Sequence, residues 1–543
     1  KWYMYENKFA WCVNEGIPGI LFNEYQQEGA LFKLSIGEDN TILGEGYTSL
    51  YSGVIAHANS VVSIVQDSLD AGAIPVDMTE KDMLSILGEA KMFRGYAHFL
   101  ATEYFGEVPL VLNTEKNISS NTILPCVSRK TLYRAIEDDL LFAAENLPEK
   151  GTVSKYAAKS LLAKLYLTMA SCRNTTPGIT YPYVCDNPTM YLDSAISLLK
   201  EVIDKGGYGF ATHAEIFQPQ PIEGTPIESK ENIFSLYWRA GEYGEGSAYQ
   251  SQLALDASWS PGSGWGAGKG LTYTLYNSFS DDDARKKELC FFVGKGTGNE
   301  FQKADGSRAF YGVAFDDKVY DLGSKGNTFL SSGMRILNNI KKYVWGVNGT
   351  IKHPSGMSIS RVQHVIRYSD VKMMLAEANY LKLYGTEVTT ETSDESVIGP
   401  INEVLTAHGA PTIKNIAYFT DLSSKHPIGE EFAFNVTVDD GNGGSKQTTI
   451  QIPSNVPMFH EEIRTDLVQQ RRKEFAMEGH GWLDLKRFYY LNPEMAAKFM
   501  EQMDRACQWA NSPEVEEGSS ALQNENGYKR LALVNLCNDS LAK

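Results

Sequence analysis

Apolar residues recur along this chain at the three- and four-residue intervals of a helix that buries one side. Between 47 and 66 they are Leu50, Tyr51, Val54, Ala58, Val61, Val62 and Val65. The same spacing joins Leu132, Ile136, Leu140, Ala143 and Leu147, and again Ala158, Leu161, Leu162, Leu165 and Met169. Ser128 and Ser154 stand where N-caps belong, and Gly206-Gly207 closes a helix carrying Leu192, Ala195, Ile196, Leu199 and Ile203. Small residues such as Ala157, Ala158 and Ala163 let a neighbouring helix approach closely, which suits antiparallel helical hairpins. No strict repeat signature runs through these segments, so periodicity alone predicts helix pairs separated by long loops.

Two regions break the helical pattern. Residues 232–360 are rich in Gly, Asp and aromatics, and read as an irregular lobe between a helical region at 1–231 and another at 361–543. Within the lobe, Tyr237 and Trp238 end the apolar run Ile233-Phe234-Ser235-Leu236 and are expected to pack in a strand core. Residues 432–452 read as a β-hairpin inserted in the second helical region. Phe432, Phe434, Val436 and Val438 alternate, Asp440-Gly441-Asn442-Gly443-Gly444 turns, and Thr448, Ile450 and Ile452 alternate back.

With 543 residues and 43% hydrophobic content the chain can bury a large core. A net charge of −17 argues against nucleic acid or an anionic membrane surface as partner, since both repel an acidic protein at long range. No apolar run is long enough to span a bilayer. Lys1 to Val13 lacks the apolar core and small-residue cleavage site of a secretory signal. The cysteines are too sparse and irregular for a disulfide framework, and no Cys-x-x-Cys pair suggests zinc or redox work. Cys172 and Cys185 bracket a loop containing Pro and Gly. Two free thiols are the expectation there, with bridging in an oxidising compartment as the alternative.

The lobe carries the candidate binding chemistry. Tyr237, Trp238, Tyr243, Tyr249, Trp259, Trp265, Tyr273 and Tyr276 lie within it, at a density well above the chain's 11% aromatic content, interleaved with glycines from Gly241 to Gly270. A sugar ring offers an apolar face of C–H groups and a rim of hydroxyls, so its receptor needs flat aromatic platforms with polar groups at their edges. Trp259 and Trp265, in Ser-Trp-Ser-Pro-Gly-Ser-Gly-Trp-Gly, have no periodic apolar face to join and stand either as ligand platforms or as loop anchors. Tyr243, Tyr249, Tyr273 and Tyr276 are further candidates, and the loop around Asn40 and Tyr47 is the next place to look.

Catalytic constellations are missing. The chain has no Gly-x-Ser-x-Gly elbow, no His-Glu-x-x-His, no phosphate loop and no dinucleotide fingerprint. His460-Glu461-Glu462-Ile463-Arg464 begins like a zinc motif without the second His. Asp281-Asp282-Asp283 could hold calcium, but a solvated helix start with Arg285 and Lys286 following is the expectation. Neither metal nor cofactor is assigned. A glycoside hydrolase remains an alternative only because its carboxylates need not be close in sequence. A helical scaffold that binds protein alone would leave the aromatic lobe unexplained.

Residues Arg471 to Phe488, Arg-Arg-Lys-Glu-Phe-Ala-Met-Glu-Gly-His-Gly-Trp-Leu-Asp-Leu-Lys-Arg-Phe, are the most specific stretch of the chain. They read as a helix carrying Leu467, Arg471, Phe475 and Glu478, broken by Gly479 and Gly481, then a segment burying Trp482, Leu485 and Phe488. This pattern resembles the C-terminal signature of the SusD/RagB family of outer-membrane nutrient-binding lipoproteins, with Gln470 where the family often has Glu. Further blocks agree in order: Tyr47 to Asn59, Glu89 to Val111 with its Gly-x-Val-Pro turn, Ser154 to Ala170, Tyr191 to Gly207, and Arg367 to Asn379.

The resemblance implies a mainly α, SusD-like fold, with tetratricopeptide-like helix pairs, a loop-rich lobe and the hairpin as an insertion. It implies a non-catalytic, cell-surface glycan-binding protein that passes oligosaccharides to a SusC-like TonB-dependent transporter. A peptide ligand, as for RagB-type receptors, is the alternative. It implies too a lipid anchor at the outer membrane. Cys12 does not supply the anchored cysteine, because Phe9-Ala10-Trp11 is no lipoprotein cleavage box, so the anchor is expected upstream of the sequence given.

Overall fold

In a computed structural model of the chain, the residues described are 5–23, 28, 31–32, 34, 40–113, 124–173, 181, 183–218, 220, 227–239, 246–253, 269–272, 275, 278–280, 282–289, 301–302, 308–309, 338–340, 342–343, 359–421, 432–439, 445–452 and 465–501. Helices dominate. Glu80–Phe105, Arg129–Asn146, Lys155–Ser171 and Pro188–Lys205 pack each on the next, Tyr368–Tyr384 packs on Pro188–Lys205, and Glu395–Ala407 packs on Tyr368–Tyr384. Short connections such as 147–154 fold consecutive helices back on one another, the arrangement of helical hairpins. Among the described residues no helix is long and apolar enough to cross a membrane.

The caps are those the sequence calls for. Ser128 Oγ accepts from Thr131 N at 3.3 Å, and Ser154 Oγ from Ala157 N at 3.2 Å. Thr79 and Asp82 form a capping box at the head of Glu80–Phe105, which Gly106 ends with a φ of +80°. The stripes from Leu132 to Leu147 and from Ala158 to Met169 are buried throughout. Between 47 and 66 the stripe holds at Leu50, Val54, Ala58 and Val65, but Val61 falls on its flank and is 37% exposed. That segment is also not one continuous α-helix. Thr41–Thr48 passes into a π-helical turn, Ser49–Ile55, before Ala56–Asp70 resumes.

Strand Asn232–Trp238 pairs antiparallel with Arg361–Arg367, Trp238 opposite Arg361 and Asn232 opposite Arg367, with irregular register between Asn232 and Ser235. Trp238 is buried as the apolar run foretells, while Tyr237 is partly buried and donates to Glu228 Oε1 at 2.5 Å. The partner strand is unforeseen by periodicity, because both of its faces are buried although Arg361, Gln363, His364 and Arg367 line it. Each of these finds a polar partner inside the protein, so no alternation of apolar and polar positions is needed. The hairpin pairs Phe432–Asp439 with Ser445–Ile452, Phe432 opposite Ile452 and Val436 opposite Thr448. Its turn, residues 440–444, lies outside the described residues. Cys126, Cys172 and Cys185 are free thiols.

The Arg471–Phe488 signature folds differently from its helical reading in one respect. Helix Leu467–Phe475 ends before Glu478, which sits in the turn; helix Gly481–Leu491 then buries Trp482, Leu485 and Phe488. The turn is unusual because Met477 has a φ of +68° and Gly479 of +88°. It is held by Glu15, whose carboxylate accepts from Met477 N at 3.0 Å and Gly479 N at 2.8 Å. Burial pushes the Glu15 carboxyl up to about 8 in spite of those two donors. The signature's charges are spent inside. Arg471 binds Asp370 at 2.9 Å and Asp484 at 2.8 Å, Arg487 binds Glu377 at 2.9 Å and Asp484 at 2.7 Å, and Gln470 accepts from Arg285 at 2.9 Å as a neutral partner.

The tightness of this turn is testable. A Cβ on Gly481 would lie 2.4 Å from the Asn14 carbonyl oxygen and 2.7 Å from Ile20 Cδ1. Backbone cannot yield as a flexible side chain can, so Gly481→Ala should cost about 1–3 kcal/mol. Chemical denaturation of the variant beside the parent measures it, and an unchanged midpoint would show that the turn is loose.

Candidate functional site

Two places combine aromatic or ionisable side chains in a way that invites function. The first is at the surface. Asn40 caps helix Thr41–Thr48, its Oδ1 accepting from Ile42 N at 3.1 Å and Leu43 N at 3.4 Å. One helix length on, Tyr47 stacks on Tyr51 with ring centroids 4.6 Å apart and planes 29° from parallel. Both rings are half-buried. Their inner edges are fixed: Phe105 meets Tyr47 edge-on at 5.2 Å, and the Tyr51 hydroxyl donates to the Pro109 carbonyl at 2.7 Å. Burial raises both phenols, so they stay protonated and able to donate. Thr41, Gly44, Glu45, Thr48 and Ser52 are exposed around them. The result is a rigid, partly open aromatic surface with hydroxyl and carboxylate groups nearby, set on a π-helical turn.

Short helix Asn7–Trp11 joins this surface to the lobe. Its Phe9 fills the space beside Gly46, where an added Cβ would meet the ring at 2.3 Å, and packs edge-on against Tyr104 at 5.0 Å. Its Trp11 lies 5.6 Å from Tyr249. Glu6, which precedes the helix, accepts from Ser247 Oγ and Ala248 N, each at 2.9 Å. The segment that opens Tyr249–Leu253 and the helix that carries Tyr47 thus rest on one support.

Tyr249 is a correction to the expected ligand set. It is only 2% exposed, and its ring covers the Arg361 guanidinium at 4.3 Å beside Trp238 at 4.4 Å and Tyr343 at 5.7 Å. Its faces are taken by packing, and none is left for a sugar. Trp259, Trp265, Tyr243, Tyr273 and Tyr276 lie outside the described residues. Asn40 and Tyr47 stand at opposite ends of one short helix, and Tyr51, assigned to the core stripe by periodicity, belongs with Tyr47. The spacing of Tyr47 and Tyr51, four apart on a helix, is the signal that pairs them.

The second place is buried. His213, His408 and Glu474 bring ligand-capable atoms within 4.8 Å of one another. Sequence gives no hint of this, since the three come from well-separated parts of the chain. Their chemistry is that of an ion-pair centre. His408 Nε2 lies 2.9 Å from Glu231, and its Nδ1 is 2.8 Å from Glu474 Oε1, near enough for a charge contact though out of line for a hydrogen bond. Burial alone would push this imidazole down, but the Glu474 and Glu231 carboxylates more than reverse it and raise it to about 9. A protonated imidazole cannot ligate a metal. Glu474 Oε1 is further held by Arg367 Nη2 at 2.7 Å, while burial pushes His213 down to about 4 and keeps it neutral.

The Asp281–Asp283 run is likewise accounted for where it is described. Asp283 is buried, not solvated, with its oxygens on Arg285 Nε at 3.0 Å and Nη2 at 2.8 Å. Asp281 and the His460 segment lie outside the described residues.

The ion-pair centre makes stability depend on pH. His408 is raised in the folded state, so its contribution is whole below its ordinary value of 6.5 and lost as pH rises through about 9. Glu15 adds a loss of the same sign that is complete near pH 8. The melting temperature should therefore fall from pH 6.5 to 9, and His408→Gln should flatten that fall while lowering stability at pH 6.5. Equal slopes in parent and variant would place the titrating group elsewhere.

Comparison with known proteins supplies the context. The SusD family pattern matches residues 230–531, and a SusD-like pattern described as starch-binding, associating with the outer membrane, matches residues 23–167. A SusD-like protein of Bacteroides ovatus is 22% identical over 375 residues, 66% of this chain and 65% of the relative, so the match spans less than two thirds of that protein. A crystal structure with xylogluco-oligosaccharide superposes at a TM-score of 0.65 and 18% identity, covering 93% of this chain and 83% of that one. A laminarin-binding SusD-like protein gives 0.58 and 19%, covering 91% and 87%. A SusD homologue from Bacteroides thetaiotaomicron gives 0.65 and 16%, covering 99% and 92%. At such identities the likeness is one of fold.

Proposed function

The chain belongs to the SusD family, and from that premise we propose that it is a non-catalytic glycan-binding protein of the outer-membrane surface. It captures oligosaccharides and delivers them to a SusC-like TonB-dependent transporter, held at the membrane by a lipid anchor. The observation that carries the binding half is the Tyr47–Tyr51 stack, a fixed and half-open aromatic surface with polar neighbours. Such a surface takes the apolar face of a sugar ring by stacking, and exposed hydroxyl and carboxylate groups beside it can meet the ring's rim. Relatives of the same fold support the choice of ligand, one solved with xylogluco-oligosaccharide and another described as laminarin-binding. Trp259 and Trp265 stay, on the sequence alone, as further proposed sugar platforms.

Capture needs no bond to be made or broken. Among the described residues, the His213, His408 and Glu474 group is buried, and His408 and Glu474 are tied into ion pairs, which leaves it no open route to a polysaccharide. Delivery then rests on exchange of the ligand between this protein and open or closed states of its transporter.

Titration calorimetry with xyloglucan, laminarin and peptide oligomers tests the reading. Tyr47→Ala, Trp259→Ala and Trp265→Ala should each weaken glycan binding by about 1–3 kcal/mol. A thermal melt on each variant separates loss of a platform from loss of the fold, and the two tryptophan variants should melt close to the parent. Affinity for peptides with none for any glycan would replace the ligand class. Unchanged glycan affinity in all three variants would move the site. Separately, affinity capture from outer membranes bearing the native operon should recover a large β-barrel transporter, and recovery of soluble cytoplasmic proteins alone would refute both location and partner.

A further inference from the structure

Cys172 ends helix Lys155–Ser171, and Cys185 lies just before helix Pro188–Lys205. The Cys185 backbone N–H donates to the Cys172 carbonyl at 2.7 Å. With standard bond lengths, that contact holds the two Cα atoms within about 6.6 Å of each other. Disulfides form at Cα separations of about 4.4–6.8 Å, so the backbone already meets the requirement that sequence spacing could not establish. Both side chains are buried together at this helix end. The Cys172 thiol makes only a weak contact, 3.4 Å to the Thr168 carbonyl, which costs little to give up. Burial pushes this thiol up, Arg129 opposes it, and Glu103 and the neighbouring Cys185 add to it, as expected for two sulfurs near one another.

We propose that Cys172 and Cys185 are a disulfide pair that closes under oxidising conditions, joining residues 173–184 into a covalent loop between two helices of the core row. The structure describes the reduced form. Closure removes two protons and two electrons from the thiols. One thiolate attacks an oxidant disulfide and releases a thiol, and the second cysteine then displaces the other half, so that one small disulfide becomes two small thiols. Burial and a raised thiol make the folded protein a poor nucleophile, which places the reaction during folding, before the helix end is covered. The pairing stands on backbone geometry and is independent of any glycan reading.

The test is refolding of the denatured, reduced full chain in a buffer of glutathione disulfide and glutathione, followed by alkylation and peptide mass mapping. One linked peptide joining Cys172 to Cys185, two hydrogens lighter than its reduced parts, should dominate. The bridged chain should melt about 2–3 °C above its reduced form, the loop-closure effect for a segment of this length spread over a chain this long. Dithiothreitol should abolish that difference, and Cys185→Ala should lack it from the start. Recovery of both cysteines as alkylated thiols in the refolded parent overturns the proposal, as does preferential linkage to Cys12 or Cys126. The mapping uses the parent alone, so the outcome does not depend on the variant folding.

Discussion

Arg367 sits where strand Arg361–Arg367 becomes helix Tyr368–Tyr384, and the fold is organised around the need to neutralise it. It is fully buried, a position that costs several kcal/mol for an unpaired ion. Glu478 meets it at 2.8 Å, Glu474 at 2.7 Å and Glu231 at 3.0 Å. Three carboxylates around one guanidinium would leave an excess of negative charge. Lys342, 2.7 Å from Glu478, and protonated His408 supply the remainder, so three acids face three cations. Arg285 approaches Glu474 as well, but brings its own partner in Asp283.

This arrangement turns a local cost into a long-range constraint. Glu231 lies before the first strand, Arg367 ends the second, His408 follows helix Glu395–Ala407, and Glu474 and Glu478 belong to the C-terminal signature. Removing any one leaves a buried charge without its counterpart, which is more costly than never having built the pair. The same logic runs through neighbouring groups. Asp370 binds Lys164 at 2.8 Å and Arg471, while Arg94 clasps Asp139 at 2.7 Å and also reaches Asn59. Apolar packing brings the helices together in a row; these pairs fix which surface of each helix faces which neighbour.

What the sequence made legible follows this division of labour. The helix stripes, Val61 apart, the serine caps, the paired hairpin strands and the Gly-x-Val-Pro turn depend on residues close in the chain, and they appear where the pattern puts them. Strand Arg361–Arg367 escaped because its polar positions are satisfied by partners as distant as Glu6 and Glu478, so Arg-Val-Gln-His-Val-Ile-Arg carries no period of two. Glu478 read as helical because it follows Arg471 and Phe475 at the right spacing. A positive φ at Met477, held by Glu15, ends the helix sooner, and Glu15 is remote in sequence. Tyr51 matched the apolar stripe and is part of it, yet its stacked partner Tyr47 keeps the pair at the surface.

The same division explains why a signature can name a family and leave its ligand open. Arg471, Glu474, Glu478, Asp484 and Arg487 all spend their charge on partners inside the protein, so none is available to touch a substrate. Their buried pairing tolerates little substitution, since a change on one side strands the other. Ligand contacts face the opposite requirement: a binding surface must be open to solvent and can change without disturbing the core, provided its support is rigid. Helix Asn7–Trp11 is such a support, with Phe9 seated beside Gly46 and Trp11 beside Tyr249, so that surface side chains above it can vary over a fixed base. On the proposed function, specificity for one ligand over another therefore has to be written in residues that periodicity and signature do not constrain, and the half-buried Tyr47–Tyr51 stack is the surface proposed for it.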